Sequence, residues 1–141
     1  MTADSQTQDE VLAVLQRMTR AYHERDLEGV MALYGSDPDV MLIGTGADEV
    51  RRGKDAIRIQ VQRDWGQTDE VSLALRWGPV SAAGEVAWAW AEGSFDFRAG
   101  DVEGSLPARV SAVLERRDGQ WLIVHSHFST PAAGQVEGES F

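Results

Sequence analysis

The beginning of the chain carries apolar residues at helical spacing. From Asp9 onward, residues three or four positions apart are apolar, and charged residues fall between them on the opposite side. The apolar stripe consists of Val11, Val14, Leu15, Met18 and Tyr22. It predicts an amphipathic helix, after which Asp26 can cap a second, short helix that ends at Gly35. We therefore expect a helical hairpin at the start of the fold.

A short strand and a third helix are predicted next. The run "VMLIG" at 40–44 has strand composition, and "TGADEVRRG" is typical of a glycine-punctuated loop that ends near Gly53. Glu49 in this loop is expected to lie in solvent, although it could reach the mouth of a pocket. Between Gly53 and Gly66 a helix would direct Ile57 and Val61 inward.

After Gly66 the hydrophobic period changes to two, which predicts strands. Four strands are expected, at 69–81, 84–98, 103–116 and 120–129, and their short connections favour antiparallel pairing. Both faces of these strands are substantially apolar, with Trp88 and Trp90 on one side and alanines on the other. Each face therefore needs a cover, and we expect helices on one face and a second subunit on the other. The predicted fold class is α+β, with helices over one face of a bent sheet.

Composition and charge narrow the possible partners. The chain has 141 residues, room for one domain at 9–131, with a disordered polar N-terminus at 1–8 and a flexible tail at 132–141. Its net charge of −10 argues against nucleic acids and anionic membranes as partners. The absence of cysteine excludes thiolate chemistry. No apolar segment has the length of a membrane span or the features of a signal peptide, which predicts a cytoplasmic protein, and nothing identifies a cofactor.

Three segments carry a resemblance to a known family. They are "DLEGVMALYGSDPDVMLIGTGADEVRRGKDAI", "GEVAWAWAEG" and "LPARVSAVLERRDGQWLIVHSHFSTP". Their order and spacing over about residues 9–131 resemble the SnoaL-like branch of the ketosteroid-isomerase-like, or nuclear transport factor 2-like, superfamily. The resemblance implies a cystatin-like α+β barrel: a cone-shaped, curved, mixed but mostly antiparallel sheet wrapped on three N-terminal helices. It also implies a pocket between sheet and helices, and frequent dimerisation through the sheet.

The chain departs from the ketosteroid isomerases at both of their acidic positions. Those enzymes carry a carboxylate base on the first strand, whereas residues 40–43 of this chain contain no acid. Their second acid falls near Ser111. The polar residues left on the expected pocket side are Glu92, Arg109, Ser111 and Ser126. The superfamily includes isomerases, dehydratases, cyclases, epoxide hydrolases and non-catalytic association domains, so the fold alone assigns no reaction.

Arg109 and Glu92 are the candidate catalytic residues, together with His127. They lie on neighbouring predicted strands, where Arg109 could stabilise negative charge while Glu92 or His127 moves a proton. The alternative is that Arg109 and Glu92 lie in solvent at the margin of the sheet. The predicted pocket residues are Tyr22, Tyr34, Trp65, Trp88, Trp90, Ser111, Ser126 and Phe128. For each aromatic residue, ordinary core packing is the competing interpretation.

The orientation of His125 and His127 depends on the turn at Asp118 and Gly119. A two-residue turn places Arg109 on the side of Phe128, whereas a bulge at Gly119 brings Arg109 opposite His127. The resemblance favours the first register, in which Trp121 and His125 face a subunit interface. A metal between the two histidines would need a third ligand, and none is evident in the sequence, so no metal site is predicted.

Two classes of function remain open. The first is a cofactor-independent isomerase, cyclase or hydratase/dehydratase that uses acid/base chemistry on an apolar, oxygenated substrate. The second is a non-catalytic, dimeric module that binds a small hydrophobic ligand or mediates association. The partners expected are therefore a second copy of the chain and a small hydrophobic molecule.

Overall fold

The computed structural model describes residues 1–141 as three helices and one seven-stranded sheet. The elements are α1 (Ser5–His23), α2 (Leu27–Met31), β1 (Met41–Ile43), β2 (Val50–Arg52), α3 (Lys54–Gly66), β3 (Glu70–Trp77), β4 (Ser81–Ala83), β5 (Val86–Ala99), β6 (Val102–Arg117) and β7 (Gln120–Ser129). Helices and main strands follow the predicted order. The segment predicted as a loop before Gly53 contains β2, and β4 is a separate short strand.

The N-terminus is more ordered than predicted. Asp4 caps α1 by accepting a hydrogen bond from the Thr7 amide at 2.8 Å, so the helix starts at Ser5 and not at Asp9. The Ala3 amide donates to the Val80 carbonyl at 3.0 Å, and Ala3 is buried. The prediction that residues 1–8 are disordered is therefore corrected by a helix cap and a backbone contact. No helix has both the length and the hydropathy to cross a membrane.

The sheet confirms the predicted fold class. Its strand order is β2-β1-β7-β6-β5-β3, with β4 paired to β5. The pairing of β1 with β7 is parallel and the others are antiparallel, which makes the sheet mixed but mostly antiparallel. At Gly93 a side chain would not fit, since an added Cβ would lie 1.8 Å from the Ala74 carbonyl oxygen. Gly93 thus permits the close approach of β3 and β5.

The helices cover the face of the sheet opposite to the one expected. The sequence predicted Trp88 and Trp90 on the helix side, but the alanines lie there. Ala87, Ala89 and Ala91 are buried in the core with α1, at 0%, 4% and 1% exposure. We call this side of the sheet the inner face. Trp88 and Trp90 lie on the outer face, at 39% and 52% exposure. The alanines thus belong to the core that the helices share, whereas the tryptophans lie on the opposite, more exposed side.

A bulge in β7 decides the register of the last hairpin. Asp118 and Gly119 form a two-residue turn, both with positive φ, and Arg117 pairs with Gln120. Further along, Leu114 pairs with Ile123 but Val113 pairs with His125, so Val124 is an extra residue. Because of this bulge, the buried side chains of β7 are at odd positions before Val124 (Trp121 and Ile123) and at even positions after it (Ser126 and Phe128). The turn is therefore the one predicted, whereas the predicted assignment of faces beyond it is wrong.

Candidate functional site

A cavity of about 360 Å³ opens between α1, α3 and the inner face of the sheet. Most of its wall is apolar, and its aromatic residues are Tyr22, Phe95, Phe97 and Phe128. Phe95 and Phe128 lie with their ring centroids 6.1 Å apart. A concave, mainly apolar space with a few polar groups at one end is typical of small-molecule sites.

Asp64 is the central polar group of this cavity. It lies on α3 and accepts hydrogen bonds from the Tyr22 hydroxyl at 2.8 Å and from Gln60 Nε2 at 2.7 Å. Asp64 is half-buried, and it forms none of the ion pairs of the structure. The cavity therefore contains a carboxylate with hydrogen bonds but no counter-ion.

The surroundings of Asp64 shift two pKa values upward. Burial raises the pKa of the Asp64 carboxyl, and the nearby charge of Glu49 adds to this effect, while the bonds from Tyr22 and Gln60 and the charge of Arg63 oppose it. Burial, together with the Asp64 charge, raises the pKa of the Tyr22 phenol above its usual range. Tyr22 therefore stays protonated as a hydrogen-bond donor, and Asp64 holds a proton more tightly than a solvent-exposed aspartate does.

Glu49 is a second carboxylate in the cavity wall. Its Oε1 accepts from Arg63 at 2.8 Å and from Gln60 Nε2 at 3.3 Å, and its Oε2 accepts from the Gly46 amide at 2.9 Å. Arg63 is shared, because it also donates to Asp48 at 2.7 Å. Glu49 is half-buried and lines the cavity. The expectation that it lies in solvent is thus wrong, since the loop folds back onto α3.

Gln60 joins the two carboxylates. Its side chain is 2% exposed, and its Nε2 is within hydrogen-bond distance of both Asp64 and Glu49. Arg51 Nε donates to Gln60 Oε1 at 2.9 Å, which fixes the orientation of the amide. Neither Gln60 nor Asp64 was predicted as a site residue from the sequence. The signal was present in α3, because positions 57, 60, 61 and 64 share one helical face and two of them are polar.

Five predicted pocket residues lie on the helix side of the sheet or against it, with different roles. Tyr22 and Phe128 line the cavity as predicted. Trp65 lies behind the wall, where its Nε1 donates to the Tyr22 carbonyl at 3.0 Å. Tyr34 and Ser126 are buried together, with their hydroxyl oxygens 3.1 Å apart, and burial raises the pKa of Tyr34 to about 12. Trp65, Tyr34 and Ser126 thus support the core and do not line the cavity.

The other predicted pocket residues, Trp88, Trp90 and Ser111, lie on the outer face, so their assignment to the pocket is wrong. The same inversion moves the predicted catalytic residues outward. Glu92 is exposed and pairs with Arg76, and Arg109 donates to the Thr130 carbonyl at 3.1 Å. None of these side chains reaches the cavity.

The bulge also separates Trp121 from the histidines. Trp121 is 5% exposed on the inner side and donates from Nε1 to Glu10 of α1 at 3.0 Å, so its prediction as an interface residue is wrong. His127 pairs with Ser111 and His125 with Val113 across the outer face, away from the cavity. The structure holds no cluster of three or more His, Cys, Asp or Glu side chains suited to a metal ion.

Comparisons with solved structures place this architecture among known proteins. A nuclear transport factor 2-like superfamily protein from Salmonella enterica serovar Typhimurium is 23% identical over 97% of this chain and 99% of its own, with a TM-score of 0.82. A nuclear transport factor 2-like protein of unknown function from Pseudomonas putida KT2440 is 22% identical over 96% and 93%, with a TM-score of 0.76. A ketosteroid isomerase-like protein from Erwinia carotovora atroseptica is 17% identical over 91% and 98%, with a TM-score of 0.71.

These likenesses establish a shared fold, and the sequence itself establishes the family. No curated protein shows significant sequence similarity to the chain. The model of the SnoaL-like domain family matches residues 11–133, which include every strand and helix except the first turns of α1. The chain therefore belongs to the SnoaL-like domain family, within the nuclear transport factor 2-like and ketosteroid isomerase-like fold.

Proposed function

We propose that the protein is a cofactor-independent acid/base enzyme that isomerises, cyclises, hydrates or dehydrates a small, mainly apolar, oxygenated molecule. The family has isomerase, cyclase and dehydratase members. One observation carries the proposal: Asp64 is a carboxylate without a counter-ion at the end of an apolar cavity. An acid or base is most effective when its pKa lies near the working pH, and burial raises the pKa of Asp64 in that direction.

Asp64 is the proposed proton carrier. In its ionised form it takes a proton from a substrate carbon next to an oxygen function, and in its protonated form it returns that proton. Return to another carbon completes an isomerisation, whereas return to a departing hydroxyl completes the loss of water. Tyr22 and Gln60 hold the carboxylate in place throughout, because each donates to a different oxygen of Asp64.

Proton exchange on probe ketones tests this role without knowledge of the natural substrate. We would incubate the protein with 2-tetralone in deuterated water and follow the loss of the α-proton signals by NMR. Wild-type protein is expected to accelerate exchange over buffer, increasingly so as rising pH ionises Asp64. Asp64→Asn is expected to reduce the catalysed rate by about 100-fold or more, the usual scale of a lost acid/base group.

Two further variants separate the cavity from the outer face. Glu103→Gln removes one negative charge from an exposed outer-face position and should leave the exchange rate unchanged. Arg109→Ala tests the site predicted from the sequence. If Arg109→Ala abolishes exchange while Asp64→Asn retains it, the reaction belongs to the outer face and the proposal fails. Exchange no faster than in buffer for wild-type protein also contradicts it.

We also propose that the outer face is the contact surface of a homodimer. Two large tryptophan side chains are 39% and 52% exposed there, at positions 88 and 90, on β5, which is paired with β6 on one side and with β3 and β4 on the other. Exposed apolar patches of this kind are typical of protein interfaces, where tryptophan is enriched. This surface also supports the second candidate function, an association module, because it lies apart from the cavity.

A further inference from the structure

We propose that the cavity binds an organic amine, with the apolar body of the ligand against the aromatic wall and the protonated nitrogen held by Asp64 and Glu49. The inference deepens the proposed function, because it names the ligand class of the same cavity. It concerns binding and not proton transfer, so the two can be tested separately.

The charges of the cavity wall are all negative. Its charged residues are Glu49 and Asp64, and it includes no lysine, arginine or histidine. Arg63, which lies behind Glu49, is shared between Glu49 and Asp48. Two carboxylates thus face the cavity, and one shared guanidinium offsets them only in part.

The other nearby guanidinium groups are turned away from the cavity. Arg51 donates to Gln60 Oε1 at 2.9 Å, and Arg25 donates to the carbonyls of Trp65 at 2.7 Å and of Thr68 at 2.8 Å. Neither arginine lines the cavity. An anionic ligand would therefore lose its hydration on entry without gaining a cationic partner, which is costly in a partly buried site.

The aromatic wall adds to this preference. Tyr22, Phe95, Phe97 and Phe128 line the cavity, and the faces of such rings carry negative potential that attracts a cation. A cavity that combines aromatic rings with carboxylates has the two features that recognise an ammonium group. The bound ammonium would provide the counter-ion that Asp64 lacks within the protein.

Three ligands of one shape test the proposal. Tryptamine is a cation, tryptophol is neutral and indole-3-acetate is an anion at neutral pH, and all three share an indole ring on a two-carbon chain. We would measure their binding by isothermal titration calorimetry at fixed ionic strength. Tryptamine is expected to bind at least about tenfold more tightly than tryptophol, the factor that corresponds to one favourable partly buried ion pair. Indole-3-acetate is expected to bind more weakly than tryptophol.

Charge-neutral variants identify the groups responsible. Asp64→Asn and Glu49→Gln should each lower the affinity for tryptamine by about tenfold and leave that for tryptophol unchanged. Glu103→Gln makes the same change of net charge on the outer face and should alter neither. Each cavity variant keeps one acceptor oxygen and replaces the other by an amide nitrogen, and circular dichroism would verify that its fold is unchanged.

Several results would overturn the proposal. They are the absence of tryptamine binding at millimolar concentration, binding of indole-3-acetate as tight as that of tryptamine, and an equal loss of affinity in Glu103→Gln. The outcome is independent of the exchange experiment. Tryptamine selectivity without ketone exchange would leave the amine site standing and reject the enzyme, whereas exchange without selectivity would do the reverse.

Discussion

The inner and outer faces of the sheet are built from the same strands but follow different rules. On the inner face of β5 and β6, alanines alternate along the chain with larger outer residues, and five of these alanines are buried: Ala87, Ala89, Ala91, Ala108 and Ala112. On the outer face, Trp88, Trp90, Arg109 and Glu92 are exposed. Among these residues of β5 and β6, the small side chains are therefore buried, and the large side chains are exposed.

The two faces also differ in chemistry. The inner face of the sheet contributes mainly apolar residues to the cavity wall. The acidic residues of the cavity come from elsewhere: Asp64 lies on α3, and Glu49 lies in the loop between β1 and β2. The outer face carries charged side chains of both signs and two histidines, and its depression beside Arg76, Glu92 and Arg109 is more open to solvent than the cavity. A site therefore forms where helix and loop residues meet the sheet, and not where the sheet sequence itself is richest in polar residues.

The largest effect is expected from one carboxylate placed on either face of β5. Ala89→Asp introduces a charge into the core without a partner, a change that costs several kcal/mol against a typical total stability of about 5 to 15 kcal/mol. Trp90→Asp, at the next residue, places the same group in solvent. Thermal unfolding followed by circular dichroism should find Ala89→Asp largely unfolded and Trp90→Asp folded. Comparable stability of the two variants would contradict the assignment of faces.

The next effect concerns association. Replacing both Trp88 and Trp90 by alanine should weaken the proposed homodimer by about 2 kcal/mol or more, roughly thirtyfold in Kd, because buried tryptophans contribute strongly to interfaces. Sedimentation velocity over a range of concentrations measures this shift. Tyr22→Phe, a change in the cavity, should leave the sedimentation profile unchanged. A wild-type protein that sediments as a monomer at all concentrations would reject the dimer.

Much of the fold was predictable because local signals and tertiary packing agree. The apolar stripe of α1, the cap at Asp26, the glycines that bracket α3 and the Asp118–Gly119 turn each specify their element within a few residues. The assignment of faces was not predictable in the same way. Alternation along a strand identifies two sets of residues, but the set that faces the helices depends on packing between distant elements.

The candidate site was not predicted from the sequence for the same reason, because the face of the sheet that packs against the helices was assigned incorrectly. The polar residues predicted on the sheet, Arg109, Glu92 and His127, were the candidates evident in the sequence. The bulge at Val124 added one residue to β7, which placed Ser126 and Phe128 on the inner side with Trp121. Asp64 lies on a helix that the sequence predicts, but its place in the site depends on the hydrogen bond from Tyr22, which is 42 residues away in the sequence.

Two serines on neighbouring strands give a smaller and sharper test of the faces. Ser126 is 2% exposed and is the hydrogen-bond partner of the Tyr34 hydroxyl, whereas Ser111 is exposed on the outer face. Ser126→Ala should cost about 1 to 3 kcal/mol, since it leaves a buried hydroxyl without its partner. Ser111→Ala should change stability by less than about 0.5 kcal/mol. Urea denaturation of both variants checks this, and equal midpoints would mean that Tyr34 has another partner.

The smallest effect on stability is expected for Asp64→Asn, and it is a gain in stability, unlike the losses predicted for the other variants. Burial raises the pKa of this carboxyl in the folded protein, so the folded state binds its proton more tightly than the unfolded state does. This contribution to stability is fully present below the ordinary pKa of aspartate and is lost as pH rises through the raised value. Asp64→Asn resembles the protonated form at every pH, so it should have a higher Tm than wild type at neutral pH.

The pH dependence of that difference separates a functional carboxylate from a structural one. The gap in Tm between Asp64→Asn and wild type should narrow as pH falls toward 4, because wild-type Asp64 then becomes neutral as well. Asp96→Asn, on the outer face, is the control, since Asp96 accepts from two serines there and its loss should not stabilise the fold. A cavity residue whose removal stabilises the protein is retained at a cost in stability, as expected for a group that serves a ligand. If Asp64→Asn instead lowers the Tm at neutral pH, the carboxylate serves only to hold Tyr22 and Gln60 in the fold. The proposed difference in function between the cavity and the outer face would then lose its support.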